Sequence, residues 1–141
     1  MTDGPIHAGC IAIDGQGVLV LGASGSGKSD LMLRLIDRGA ILVADDYCVL
    51  SVLDGQLVAR APAAIAGRIE VRGIGLVEMP TVEQVVVRLA IRLDEPVPRM
   101  PEPETISLVG IDVPLVRLAA FEASAPIKAE LALRSAPTSV D

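Results

Sequence analysis

Apolar runs of four to nine residues, separated by glycine- and aspartate-rich breaks, fill most of this 141-residue chain, and only two stretches carry helical spacing. After a loose leader, Met1 to Pro5, Ile6 to Ile13 reads as a strand. Asp14-Gly15-Gln16-Gly17 is a turn tolerant of positive φ, which predicts a hairpin with Val18 to Leu21. From Asp30 to Arg38 the period changes. Leu31 with Leu35 and Met32 with Ile36 make two i,i+4 apolar pairs on one side, Asp30, Arg34, Asp37 and Arg38 lie on the other, and Gly39 stops the helix. Ile41 to Ala44 is all apolar, as in a strand buried on both faces, and ends in Asp45-Asp46.

Beyond Tyr47 the pattern is mainly β. Val49 to Leu53 and Gln56 to Arg60 flank Asp54-Gly55, a strong hairpin signal, and Pro62 to Gly67 is a loop. Arg68 to Val77 is a strand-like run with two glycines, Val85 to Leu93 another strand, and Ile106 to Val109 and Val113 to Val116 two shorter ones. Pro96 to Glu104 holds four prolines in nine residues and can only be a loop. Phe121 to Arg134, entered through Ser124 and Pro126, is a closing helix, and 135–141 reads as a disordered tail. The sum is a single α/β domain over 1–141.

Composition narrows the choice. With 51% hydrophobic residues but one Tyr, one Phe and no Trp, the core is built from Val, Leu, Ile and Ala. Without aromatics to stack on bases, and with a net charge of −6, no nucleic-acid partner is expected. No basic segment precedes an apolar run and nothing approaches the roughly 18 apolar residues of a spanning helix, so no membrane partner and a cytoplasmic location are expected. Cys10 and Cys48 lack metal-ligand spacing and read as buried free thiols.

Gly22-Ala23-Ser24-Gly25-Ser26-Gly27-Lys28-Ser29 fits the phosphate-binding pattern G-x-x-x-x-G-K-[ST] at every fixed position. It lies where a strand turns into a helix, the geometry that aims loop N–H groups and the positive end of the helix at one anion. In such a loop Lys28 reaches the β- and γ-phosphates of ATP and the Ser29 hydroxyl binds Mg²⁺.

Other residues could complete a site. Adjacent residues on a regular strand point to opposite faces, and Tyr47 and Cys48 give no turn signal, so one of Asp45 and Asp46 is expected to face the nucleotide, as a metal ligand or as a base. Glu70 and Arg72, at i and i+2 of a strand, would set a metal-binding carboxylate beside a phosphate-binding guanidinium. A surface ion pair explains the same spacing. Arg99 stands alone in the proline-rich loop, either closing on a γ-phosphate or serving as a surface charge. His7, the one histidine, lies on the strand beside the phosphate loop, in a structural or a catalytic role.

Ile6-His7-Ala8-Gly9, the Gly22 to Ser29 loop, Arg38-Gly39, Leu42 to Asp46 and Ile69-Glu70-Val71-Arg72-Gly73-Ile74-Gly75 together resemble the catalytic domain of HPr kinase/phosphorylase, the bacterial enzyme that phosphorylates a serine of the phosphocarrier HPr. The resemblance implies a mixed, barrel-like sheet with a P-loop and helices packed on one side, similar to phosphoenolpyruvate carboxykinase. It assigns His7, Lys28, Asp46 and Arg99 to catalytic positions, with Asp46 as the base, and Arg72 to the region used in both reaction directions. Ser29 and Glu70 match metal positions, with Asp45 a further candidate ligand. ATP and Mg²⁺ are the implied cofactors, an HPr-like protein the implied partner, and a homo-oligomer, a hexamer in the family, the implied assembly. The resemblance covers about half the chain. Family members carry a separate N-terminal domain, so the chain resembles a compact form made of the catalytic domain. Where the family has a basic Gly-Arg-Asn segment, this chain has Pro114-Leu115-Val116-Arg117-Leu118, which weakens the expectation of the dephosphorylating direction. A small-molecule kinase and a nucleotide-sensing module without catalysis are the alternative readings.

Overall fold

Two Asp-Gly pairs set the first strands. In the computed structural model, which describes residues 4–136, Asp14-Gly15 and Asp54-Gly55 all have positive φ, the conformation of a two-residue type I′ turn. They join β1 (Gly4–Ile13) to β2 (Gln16–Leu21) and β4 (Tyr47–Leu53) to β5 (Gln56–Arg60). The expected leader is therefore shorter than its composition suggests. Gly4 and Pro5 pair with Leu50 and Val49, and only 1–3 lie outside the described residues.

α1 (Lys28–Asp37) follows β2, and β3 (Ile41–Ala44) returns beside β1. After β5 and a short 3-10 turn come the small hairpin β6 (Arg68–Val71) and β7 (Gly75–Glu78), the long β8 (Gln84–Arg92), and the hairpin β9 (Thr105–Leu108) and β10 (Ile111–Arg117). α2 (Ala125–Ser135) closes the order. Ser135 thus ends a helix and does not open a tail, and the remainder of the expected tail, 137–141, lies outside the described residues.

The strands β1, β4, β5, β8 and β2 form a closed ring, because β2 also pairs with β8, in parallel. β3 attaches to β1 and the β9–β10 hairpin to β8. This is the mixed, barrel-like sheet expected, with both helices on one side. Alternation along β1 supplies two cores. Ala8, Cys10 and Ala12 point into the barrel with Leu19, Val43, Cys48, Leu57 and Ala59, whereas Ile11 faces outward to Leu31, Met32 and Leu35 of α1 and Ala129 and Leu133 of α2. Small side chains suit the narrow lumen of a five-stranded barrel, which is why the core needs no aromatic residue. In β8 the same alternation breaks. Gly17 pairs with Val87 and Val18 with Leu89, so Arg88 is a one-residue bulge; before it Val85 and Val87 face the barrel, after it Ala90 does, and Leu89 and Ile91 face the helices.

Cys10 and Cys48 are free and fully buried. A hydrogen bond with the Cys48 thiol, and then burial, push the Cys10 thiol well above its ordinary value. Among the described residues no helix is long and apolar enough to cross a membrane.

Candidate active site

β2 delivers the chain to the glycine loop, and the loop's own contacts fix its shape. The Ser26 N–H donates to the Ala23 carbonyl (3.0 Å), and the Ala23 N–H to Asp94 Oδ2 (2.9 Å) at the end of β8. Gly27 adopts φ 97°, a left-handed conformation just before the first residue of α1, and a Cβ there would come within 2.8 Å of Ala120 Cβ and 2.9 Å of Phe121 Cζ. Position 27 thus needs glycine for its backbone and for its neighbours.

Lys28, only 7% exposed, donates from Nζ to the carbonyls of Gly22 (2.7 Å) and Ala23 (3.1 Å). An ammonium has three donors, so one is left for an anion over the loop. Among the described residues Ser26 Oγ is buried with no hydrogen-bond partner, while Ser24 and Gly25 are exposed at the loop's crest. A cationic, donor-rich loop with an unused hydroxyl fits a phosphate group in charge and hydrogen-bonding capacity.

The acid pair departs from expectation. β3 and β4 both pair with β1, one after the other along the same edge, and the break between them falls at Asp45-Asp46. Asp46 has φ 71° and the Tyr47 N–H turns back onto the Asp45 carbonyl (2.8 Å). The strand kinks between the two acids, so Asp45 meets Ser29 of α1 while Asp46 meets His7 of β1, and neither is lost to the opposite face of a regular strand. Aspartate tolerates the left-handed region better than most residues, a signal available in its type but not in the neighbours Tyr47 and Cys48.

Each acid has its own partners. Asp45, 7% exposed, accepts the Ser29 hydroxyl at Oδ1 (2.6 Å) and the Glu70 N–H at Oδ2 (2.9 Å). It ties α1, β3 and β6 together. Asp46 Oδ1 lies 2.9 Å from His7 Nε2. A carboxylate only accepts, so His7 donates from Nε2. The imidazole also packs 5.3 Å from the Tyr47 ring. His7 shares an outer face of β1 with Gly9, where a Cβ would meet Met32 Sδ at 2.5 Å. The glycine two residues past the histidine lets α1 lie close to β1 and brings the helix start to the acids.

The structure groups His7, Lys28, Ser29, Asp45, Asp46 and the backbone of Glu70. Arg72 is not beside Glu70 on a strand as its spacing suggested. It falls in the β6–β7 turn, closed by the Ile74 N–H on the Val71 carbonyl (2.9 Å), and is exposed. Ile69, fully buried against the helix-side core, holds this hairpin in place. Arg99 is exposed in the loop after β8, with no hydrogen bond or ion pair to the grouped residues. Among the described residues no three His, Cys, Asp or Glu side chains converge. The polar set of Ser29, Asp45 and Glu70 still suits Mg²⁺, which takes few protein ligands and keeps several waters.

Three participants were not singled out in the sequence. Asp94 caps Ala23. Arg34 reaches from α1 to the carbonyls of Ala120 and Glu122 (3.1 Å to the latter), clamping the loop before α2. Phe121, in that loop, is 73% exposed beside Gly27. Only Phe121 carried a signal, as one of two aromatic residues.

A closed barrel with a lysine-bearing loop at the carboxyl end of β2, and acids at the adjoining strand break, defines an α/β protein whose polar groups gather at strand ends, where ligands of such sheets collect. Residues 2–95 match the family model described as HPr Serine kinase C-terminal domain, and the chain belongs to that family. The HPr kinase/phosphorylase of Clostridium beijerinckii is 42% identical over 76 residues, 54% of this chain and 25% of the relative. That of Caldicellulosiruptor bescii is 46% identical over 74 residues, 52% of this chain and 24% of the relative. The matched stretch thus spans about a quarter of the length of these curated relatives. The structure of the Hpr(Ser) kinase/phosphatase from Coxiella burnetii superimposes with a TM-score of 0.81 at 32% identity, covering 93% of this chain and 88% of that one.

Proposed function

We propose that this chain is an ATP- and Mg²⁺-dependent kinase that phosphorylates a serine of an HPr-like phosphocarrier. Family membership supports the choice of reaction and partner. The observation that supports the mechanism is the kinked Asp45-Asp46 pair, in which one carboxylate is tied to Ser29 at the end of the glycine loop and the next is held by His7.

The loop amides from Gly22 to Ser29 and the Lys28 ammonium bind the donor phosphates. Ser29, Asp45 and Glu70 would hold Mg²⁺, which supplies charge neutralisation between phosphates when bound. Asp46, exposed and oriented by the His7 N–H, accepts the proton of the incoming serine hydroxyl, and His7 holds the carboxylate in that position. Arg72 and Arg99 stand on exposed segments from which a guanidinium could reach transferring charge, a role that rests on the family resemblance. Dephosphorylation by phosphorolysis would use the same groups: inorganic phosphate attacks the phosphoserine phosphorus, the P–O bond to serine breaks, pyrophosphate forms, and Asp46 returns a proton to the serine oxygen.

The test is incubation of the chain with Mg-ATP and purified HPr, followed by mass spectrometry. A phosphoserine on HPr is the expected product. An unmodified carrier in the presence of folded, nucleotide-binding protein overturns the proposal, and turnover stimulated by metabolites in place of HPr would favour a small-molecule kinase.

A further inference from the structure

Three neighbouring strands, β2, β8 and β10, run parallel and end at one edge of the sheet. The ladder continues past their ends, with the Leu93 N–H donating to the Leu21 carbonyl (3.0 Å) and the Leu118 N–H to the Arg92 carbonyl (3.1 Å). Three loops therefore leave side by side. The first is the glycine loop, the second carries Leu93 and Asp94, and the third carries Ala119 to Glu122. Between them lies a cleft of about 620 Å³. Ligands of α/β sheets collect outside the carboxyl ends of parallel strands, and this volume is in the range of small-molecule sites.

The cleft is separate from the acids: Ser26 of the glycine loop lines it, but His7, Asp45, Asp46 and Glu70 do not. In the sheet, β1 and β3 lie on one side of β2, and β8 and β10 on the other. Its wall is apolar, from Leu93, Ala120 and Phe121, with the carboxylates of Asp94 and Glu122 at hand. The Phe121 ring belongs to neither apolar core and is 73% exposed. Its loop is nevertheless held firmly, by Arg34 on two carbonyls and by Lys128 on the Glu122 carboxylate (2.7 Å). An exposed aromatic ring on a clamped loop beside a phosphate loop is a platform for a flat, partly apolar group. Nearby carboxylates favour a group that offers N–H or O–H donors.

We infer that this cleft takes the nucleoside of the phosphoryl donor, with its base against Phe121, so that the glycine loop separates a nucleoside flank from an acceptor flank. The inference rests on reading Gly22–Ser29 as the donor's phosphate site, and it assigns a task to a segment that lies beyond the family match at 2–95.

The test uses the full chain and calorimetric binding of two Mg²⁺ complexes, ATP and inorganic tripolyphosphate, the second having phosphates but no nucleoside. Loss of one aromatic stack weakens binding roughly 5- to 100-fold. Phe121→Ala should weaken ATP binding by that factor and leave tripolyphosphate within twofold of the parent. Ala119→Trp, which fills the cleft from the same loop, should give the same split. Unchanged ATP binding in both variants, or equal loss of both ligands, overturns the nucleoside assignment while leaving the phosphate loop standing. If the parent chain binds neither ligand, the phosphate-loop reading fails and this inference fails with it.

Discussion

The two flanks of the glycine loop are built on opposite principles. On the acid side, polar groups are tied to one another: Ser29 to Asp45, Asp45 to the Glu70 backbone, His7 to Asp46. On the Phe121 side, an apolar wall is held from behind by Arg34. The first arrangement fixes where the carboxylates and their donors lie. The second fixes shape, its polar side chains Asp94 and Glu122 being engaged with the Ala23 N–H and with Lys128 at the edges of an apolar wall. In the proposed reading, a loop that binds the phosphates of a donor and exposes its other end uses both kinds of wall.

The largest effect is expected on the acid side, to which the proposed function assigns the chemistry. Asp46→Asn should lower phosphate transfer by about 10²- to 10⁴-fold in kcat, the contribution of a positioned base, with nucleotide affinity unchanged in a binding titration. Normal turnover in this variant would move the base elsewhere. His7→Ala should fall by less, since His7 positions the carboxylate.

Gly27→Ala probes the point where both flanks meet. A left-handed alanine costs about 1–3 kcal/mol, and its Cβ would press on Ala120 and Phe121. Chemical denaturation should show that loss, and nucleotide binding should weaken with it. A variant as stable as the parent would mean that the loop shifts freely past Phe121.

Arg34→Ala tests the clamp alone. Losing a charged donor to two carbonyls is worth about 1–2 kcal/mol at this partly exposed site, read as a lower denaturation midpoint. ATP affinity should fall and tripolyphosphate affinity should not. Equal effects on the two would erase the distinction between the flanks.

The smallest effect is at the surface pair of Arg38 and Glu130, joining α1 to α2 through two hydrogen bonds of 3.0 and 2.7 Å. The Arg38 guanidinium lowers the Glu130 carboxyl below its ordinary 4.5. Its contribution is complete above that value and is lost as pH falls through the lower, folded one. Glu130→Gln should therefore shift the denaturation midpoint slightly at pH 7, by an amount that shrinks as the pH is lowered below 4.5.

Much of the acid side could be read from residue order, because it is made of short motifs whose members are neighbours in the chain. Gly22 to Ser29 sits between a strand and a helix, as its pattern requires, and Asp45-Asp46 ends a buried strand as expected. What escaped was the left-handed turn at Asp46, a single φ that depends on how β3 and β4 share the edge of β1. Arg72 was misplaced for a similar reason, since a glycine-bearing strand and a tight hairpin look alike until pairing is known. The Phe121 side was illegible. Its wall comes from positions 26, 93–94 and 119–122, which only the parallel order β2–β8–β10 brings together. Arg34 was placed on the polar side of its helix and no further, because its acceptors are carbonyls 86 and 88 residues away.

The ten residues of β1 run unbroken past two strands in succession, with His7 opposite Tyr47 and Cys10 opposite Ala44. Counting along this one strand is what aligns the histidine with the gap that holds Asp46. A substitution at most of its positions alters one contact, but inserting or deleting a single residue between His7 and the Asp14-Gly15 turn would swap every inward and outward side chain on one side of the change. Variation in length, more than variation in residue type, is thus what this strand should exclude among functional relatives.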